Sequence, residues 1–152
     1  LDEKLETALD RRINQSKYFK IGDSVPDIVL TDLSGGLLEL NKINAENILI
    51  IFYASWCPHC QTLLPEIYDL YKNQKEKKFE VAAISIDTVK SEWQNFVTSN
   101  KLTWINICDL KGWHSKAALD YYIYATPTMF IIDKNRKIIA KPTTLDEIKS
   151  YF

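Results

Sequence analysis

The chain has 152 residues, 46% of them apolar, with four glycines and five prolines, which fits one globular domain with a real core and excludes collagen-like and low-complexity readings. A net charge of −1 spread over mixed charge runs argues against a nucleic-acid-binding surface. No apolar stretch approaches the roughly 18 residues of a membrane span, and three cysteines are too few for a disulfide scaffold.

The chain opens Leu1-Asp2-Glu3 without an initiator methionine and reads as a mature or excised piece, so a missing leader is no guide to compartment. Leu1, Leu5, Leu9 and Ile13 recur every four residues among charged positions, the pattern of an amphipathic helix. Residues 1–20 are therefore expected to form a helical extension or linker end, docked by burial of that apolar stripe. A loop follows over Ile21–Asp27. Gly35-Gly36 between Ile28–Leu33 and Leu37–Leu40 predicts a hairpin.

The near-continuous apolar run Ile48–Ala54 predicts a parallel strand covered on both faces. It delivers Trp56-Cys57-Pro58-His59-Cys60 to the start of a helix. There the unpaired N–H groups and the helix dipole favour negative charge and lower a thiol's pKa. Pro58 suits the first helical position, where its missing N–H costs nothing. Cys60 comes one turn later on the same face, within the reach of a disulfide. Leu63, Leu64, Ile67, Leu70 and Tyr71 carry the helix onward to the cationic run Lys75-Glu76-Lys77-Lys78, with Pro65 expected to kink it.

A second buried strand is predicted over Val81–Ile86. Ser91-Glu92-Trp93-Gln94 reads as a capping box opening a helix that turns Trp93, Phe96 and Val97 inward. A short strand at Trp104–Ile107 and a short helix at Lys116–Tyr122 follow. Met129–Ile132 and Lys137–Ala140 flank a hairpin turn, and Thr144-Leu145-Asp146-Glu147 is a second capping box for a last helix ending near Phe152. Strands alternating with helices, then a closing hairpin and helix, predict an α/β sandwich with a mixed central sheet over residues 21–152.

Three motifs together resemble the thioredoxin superfamily, most closely its TlpA/ResA-like, AhpC/TSA-related envelope branch: Phe52-Tyr53-Ala54-Ser55-Trp56-Cys57-Pro58-His59-Cys60, Pro65, and Ala125-Thr126-Pro127-Thr128 before a strand. The resemblance covers the chain from about Ile21 onward. It implies a thioredoxin-like three-layer sandwich with an N-terminal β-hairpin. It also implies that Pro127 is cis and sits against the CxxC, with the backbone of Thr126 pairing with substrate. The stretch from Cys60 to Pro127 is longer than in plain thioredoxins by roughly one strand–helix unit, for which Val89–Trp104 is the candidate insertion. The chain also departs from its relatives: Ile51 stands where plain thioredoxins carry a buried aspartate, Ala83 where they carry a lysine, and Leu63 where some ResA-like proteins carry a glutamate. Glu66, the nearest carboxylate in sequence, is expected to face elsewhere. Bulk water and the substrate's own thiolate are then the candidates for deprotonating Cys60.

Thiol–disulfide exchange is the function implied, with Cys57 as attacking thiolate and Cys60 as resolving thiol. Pro58 and His59 are the residues expected to tune the pair, a protonated His59 favouring the thiolate by charge and hydrogen bonding. Trp56, Thr126 and Pro127 are expected to form the substrate face. No cofactor and no metal site are expected, since beyond the CxxC only Cys108, His59 and His114 remain as ligands. Cys108 is read as a small buried hydrophobe and His114 as a surface residue or helix cap. Expected partners are cysteine-containing proteins and a membrane or soluble dithiol donor, for a monomer of the periplasm or cell envelope, more often reducing than oxidising. The alternatives are a DsbA-like oxidase or isomerase and a copper- or haem-handling metallochaperone. A peroxiredoxin is disfavoured, because Ala54, not threonine, stands three residues before Cys57.

Overall fold

The computed structural model describes residues 3–76 and 78–152. Leu1, Lys77 and the Leu5 side chain, all invoked above, lie outside what is described. Strand β3 (Asn47–Tyr53) is the central strand of a five-stranded mixed sheet of order β5-β4-β3-β6-β7. Here β4 is Phe79–Ser85, β5 Ile105–Ile107, β6 Thr128–Asp133 and β7 Ile138–Ala140. Strand β3 runs parallel to β4 and antiparallel to β6, while β4 and β5 are parallel. Burial on both faces is what a run of Ile, Leu and Phe without polar alternation requires, and every residue from Ile48 to Ala54 is fully buried.

Helices cover both faces. Successive strand side chains point to opposite sides, and Phe52 packs on Tyr121 with ring centroids 5.3 Å apart, while Tyr53 packs on Phe96 at 5.4 Å. Phe96 belongs to α3 (Lys90–Ser99) and Tyr121 closes α4 (Lys116–Asp120), so these helices lie on opposite faces of the sheet. Helix α2 (Pro58–Asn73) packs against α5 (Leu145–Lys149). The unit α3–β5 adds a fifth strand beside β4; α3 lies within the Val89–Trp104 stretch read as an insertion, and β5 follows it. The hairpin β1 (Val29–Thr31) and β2 (Leu37–Glu39) turns through Gly35, whose φ of +90° only glycine adopts without strain. It abuts the sheet edge through a bridge between Asp32 and Ile107.

Several local expectations are corrected. Helix α1 (Glu3–Tyr18) does dock, but not by its apolar stripe: Leu9 and Ile13 are 53% and 58% exposed. The docked face is polar. Gln15 Nε2 donates to the carbonyls of Tyr121 and Tyr122 at 3.2 and 3.1 Å, and Arg11 Nη1 donates to the Ile123 carbonyl at 2.8 Å. A helix leaves its last carbonyls without partners, and α1 supplies the donors for the end of α4. Phe19 completes the contact, buried against Tyr121 and Phe130. The second correction concerns Ser91, which is not a cap: α3 begins at Lys90 with Val89 in the capping position and no side-chain hydrogen bond. Burial of Trp93, Phe96 and Val97 sets where this helix starts. At α5 the capping box forms on the Thr144 side, with Thr144 Oγ1 accepting from Glu147 N at 3.3 Å. Glu147 Oε2 accepts from Thr143 N rather than from Thr144 N, and the helix ends at Lys149, short of Phe152.

Candidate active site

Cys57 caps the N-terminus of α2, with Pro58 in the first helical position. The Cys57 Sγ accepts the Cys60 N–H at 3.3 Å and lies 2.6 Å from Cys60 Sγ, both cysteines being free thiols. Beside it, from the strand next to β3, comes the loop before β6, where the Thr126–Pro127 bond is cis. The Cys57 thiol donates to the Thr126 carbonyl at 3.5 Å. The fold thus brings together Cys57, Cys60 and the Thr126–Pro127 loop, residues far apart in sequence.

The two thiols are unequal. Cys57 is 5% exposed and Cys60 has no exposed surface. Burial pushes the Cys57 thiol up, but hydrogen bonds from the Cys60 thiol, the Thr126 side chain and the N–H groups of Cys60 and His59 outweigh it, holding it below the ordinary thiol range. Burial, and then the neighbouring Cys57, push Cys60 up to about 12. What His59 contributes to Cys57 here is its backbone N–H; its side chain is exposed on the first turn. Trp56 is 50% exposed and meets Trp113, itself 37% exposed, with ring centroids 6.4 Å apart.

The surroundings of the dithiol are apolar. Ile51 pairs with Ala83 across β3 and β4, and both are fully buried. Leu63 is buried and Glu66 is exposed. The Tyr53 hydroxyl beneath the site is driven up first by burial, against an opposing contact from Trp93, with Asp87, Cys108 and Cys60 adding to the rise. It stays neutral and is no base for Cys60.

One carboxyl group does reach the reactive turn, and sequence reading missed it. Asp87, fully buried just beyond β4, accepts the Ser55 N–H at 3.1 Å and the Ser55 hydroxyl at 2.6 Å, and also takes the Ser85 hydroxyl. The Ser55 carbonyl in turn accepts from Gln61 Nε2 at 2.8 Å. Every backbone polar group of the residue two places before Cys57 is therefore held. The signal was present: in Ile84-Ser85-Ile86-Asp87 the alternation puts Ser85 and Asp87 on one side, and the carboxyl ends of parallel strands are where α/β sheets place functional groups.

Cys108 is buried, its Sγ donating to the Asp87 carbonyl at 3.6 Å and accepting the Leu110 N–H at 3.3 Å, and burial pushes its thiol up. His114 is exposed in a 3-10 turn at Gly112–His114. Among the described residues no group of three or more His, Cys, Asp or Glu side chains is arranged to hold a metal ion, and no helix is long and apolar enough to cross a membrane.

The model of the AhpC/TSA family matches residues 21–141. The thiol-disulfide oxidoreductase ResA of Bacillus cereus (strain ZK / E33L) is 31% identical over 135 residues, covering 87% of this chain and 76% of that protein. Among solved structures, the C-terminal domain of a protein from Bacteroides thetaiotaomicron assigned as a thiol-disulfide oxidoreductase superposes with a TM-score of 0.79 at 28% identity, over 87% of this chain and 93% of that one. A thiol-disulfide oxidoreductase from Bacteroides fragilis NCTC 9343 gives 0.73 at 26% identity, over 86% of this chain and 100% of that one.

Proposed function

Because the chain belongs to the AhpC/TSA family, as a ResA-like member of the thioredoxin superfamily whose activity is thiol–disulfide exchange with cysteine-containing substrates, we propose that Cys57 is its nucleophile and Cys60 its resolving thiol. The carrying observation is the asymmetry of the pair: Cys57 is the less buried and is lowered, Cys60 is enclosed and raised. The Cys57 thiolate attacks one sulfur of a substrate disulfide, and the other sulfur leaves with the electron pair. Cys60 gives up its proton to bulk water or to the departing thiolate and attacks the Cys57 sulfur. The substrate is then released fully reduced and the Cys57–Cys60 bond is left behind.

The reducing direction belongs to this proposal. A strong oxidant owes its potential to a stabilised reduced form. The potential of the pair decides the direction: near thioredoxin's, about −270 mV, it reduces, and near DsbA's, about −120 mV, it oxidises. Trp56, Thr126 and Pro127 form the substrate face, and Pro58 and His59 set the first turn. A membrane or soluble dithiol donor, an envelope location and a monomeric state complete the reading. In Cys60→Ser, Cys57 traps substrates as mixed disulfides; trapping by Cys57→Ser instead reverses the two roles. A measured potential near DsbA's overturns the direction.

A further inference from the structure

A groove of about 480 Å³ lies against α1, with Thr7, Ala8 and Arg11 of that helix on one wall and Trp113, His114, Ile123 and Tyr124 on the other. The Arg11 bond to the Ile123 carbonyl ties the two walls together. At one end Trp113 meets Trp56, the neighbour of Cys57. Along the other wall, Ile123 precedes Thr126 by three residues, at most about 10 Å of chain, and the Thr126 carbonyl lies 3.5 Å from Cys57 Sγ. Trp113 and Ile123 thus link the groove to the residues that flank Cys57. Cys57 exposes only 5% of its surface, so a chain lying along the groove has to bring the substrate sulfur in. Concave, mostly apolar sites with a few polar groups bind ligands best, and half-exposed tryptophans are the side chains that most often anchor a partner.

We propose that this groove holds the segment of a substrate protein flanking its reactive cysteine, in extended form, with an aromatic side chain seated between Trp113 and Ala8. The inference rests on the exchange reading and adds a substrate class to it: extended cysteine segments with a bulky apolar residue about three positions from the cysteine, in preference to small disulfides. Helix α1, outside the matched family segment, then selects substrates as well as capping α4.

The probes are cysteine peptides held as mixed disulfides with thionitrobenzoate, carrying Phe or Gly three residues from the cysteine on either side. The symmetrical bis-nitrobenzoate disulfide serves as the small-disulfide control. In a single turnover the Cys57 thiolate bonds to the peptide sulfur and the coloured thionitrobenzoate leaves with the electron pair. Cys60 then loses its proton to solvent and displaces the peptide thiolate. The Phe peptide of one orientation is expected to react about tenfold faster than its Gly counterpart, with Ala8→Arg and Trp113→Ala each reducing that ratio to about twofold or less. Equal rates for Phe and Gly peptides, or a preference that survives both variants, overturns the groove. Failure of the reduced protein to react even with the symmetrical disulfide overturns the exchange reading instead.

Discussion

Asp87 holds Ser55 by both its N–H, at 3.1 Å, and its hydroxyl, at 2.6 Å, and Asp87 itself has no exposed surface. A carboxyl group in the interior is thereby spent on orienting the turn that presents Cys57. Removing it strands buried donors on Ser55 and Ser85, each costing about 1–3 kcal/mol. Asp87→Ala should lower stability by about 2–4 kcal/mol and slow single-turnover attack by Cys57. Asp87→Asn, which keeps one acceptor, should fall between it and the parent. Urea denaturation of the oxidised protein measures the first effect, and an unchanged midpoint in Asp87→Ala refutes it.

The inequality of the thiols predicts a pH profile. Attack requires thiolate, so alkylation of Cys57 should rise with pH through a midpoint below the free-thiol value of about 8.5, in line with its lowered pKa. In Cys57→Ser the remaining Cys60 should still react only above the ordinary thiol range, because burial, the larger cause of its rise, is kept while the contribution of Cys57 is lost. The sign for stability is opposite at the two sites. Between about 8.5 and about 12 the unfolded chain releases the Cys60 proton before the folded one does, so rising pH favours unfolding of the reduced protein. Cys60→Ser should remove that part of the alkaline decline. A decline identical in both proteins disproves the assignment.

Leu63 occupies a buried place one turn beyond Cys60, where a carboxylate would face the resolving thiol. Leu63→Glu should speed resolution of the mixed disulfide near neutral pH, by giving the Cys60 proton a local acceptor. The gain should come with a loss of about 2 kcal/mol from the apolar burial forfeited. Rapid-quench trapping of the mixed disulfide reads the rate. Slower resolution in this variant contradicts the placement.

The docking of α1 predicts a contrast. Leu9→Gln and Ile13→Gln should alter stability by less than about 0.5 kcal/mol, as exposed positions do. Gln15→Ala, which removes the donor to one buried and one part-buried carbonyl, should cost about 1–3 kcal/mol, and Phe19→Ala about 3–5 kcal/mol. Thermal unfolding of the four variants orders them. A Leu9 or Ile13 change as costly as Phe19→Ala would mean that the apolar stripe is covered.

What was legible in the sequence was what local chemistry dictates. The Ile48–Ala54 run, the Gly35-Gly36 turn, the CxxC at a helix start and the Thr144 cap all carry their own reasons within a few residues. The α1 face was not legible, because its partners are carbonyls at the end of a helix more than a hundred residues away. A helical stripe of leucines says that an apolar face exists, not that the fold has room for it. Ser91 misled for a related reason: packing of Trp93 set the helix start and overrode the cap. Asp87 escaped because nothing next to it in sequence reveals Ser55 as its partner.

Cys108 has one further consequence. A protein that cycles between dithiol and disulfide while carrying a third thiol risks scrambling, in which the wrong pair closes and the cycle stalls. Here the third sulfur is enclosed under the Asp87 carbonyl, short of thiolate, and hydrogen-bonded within its own loop. Burial and a raised thiol both work against the entry of Cys108 into such a reaction.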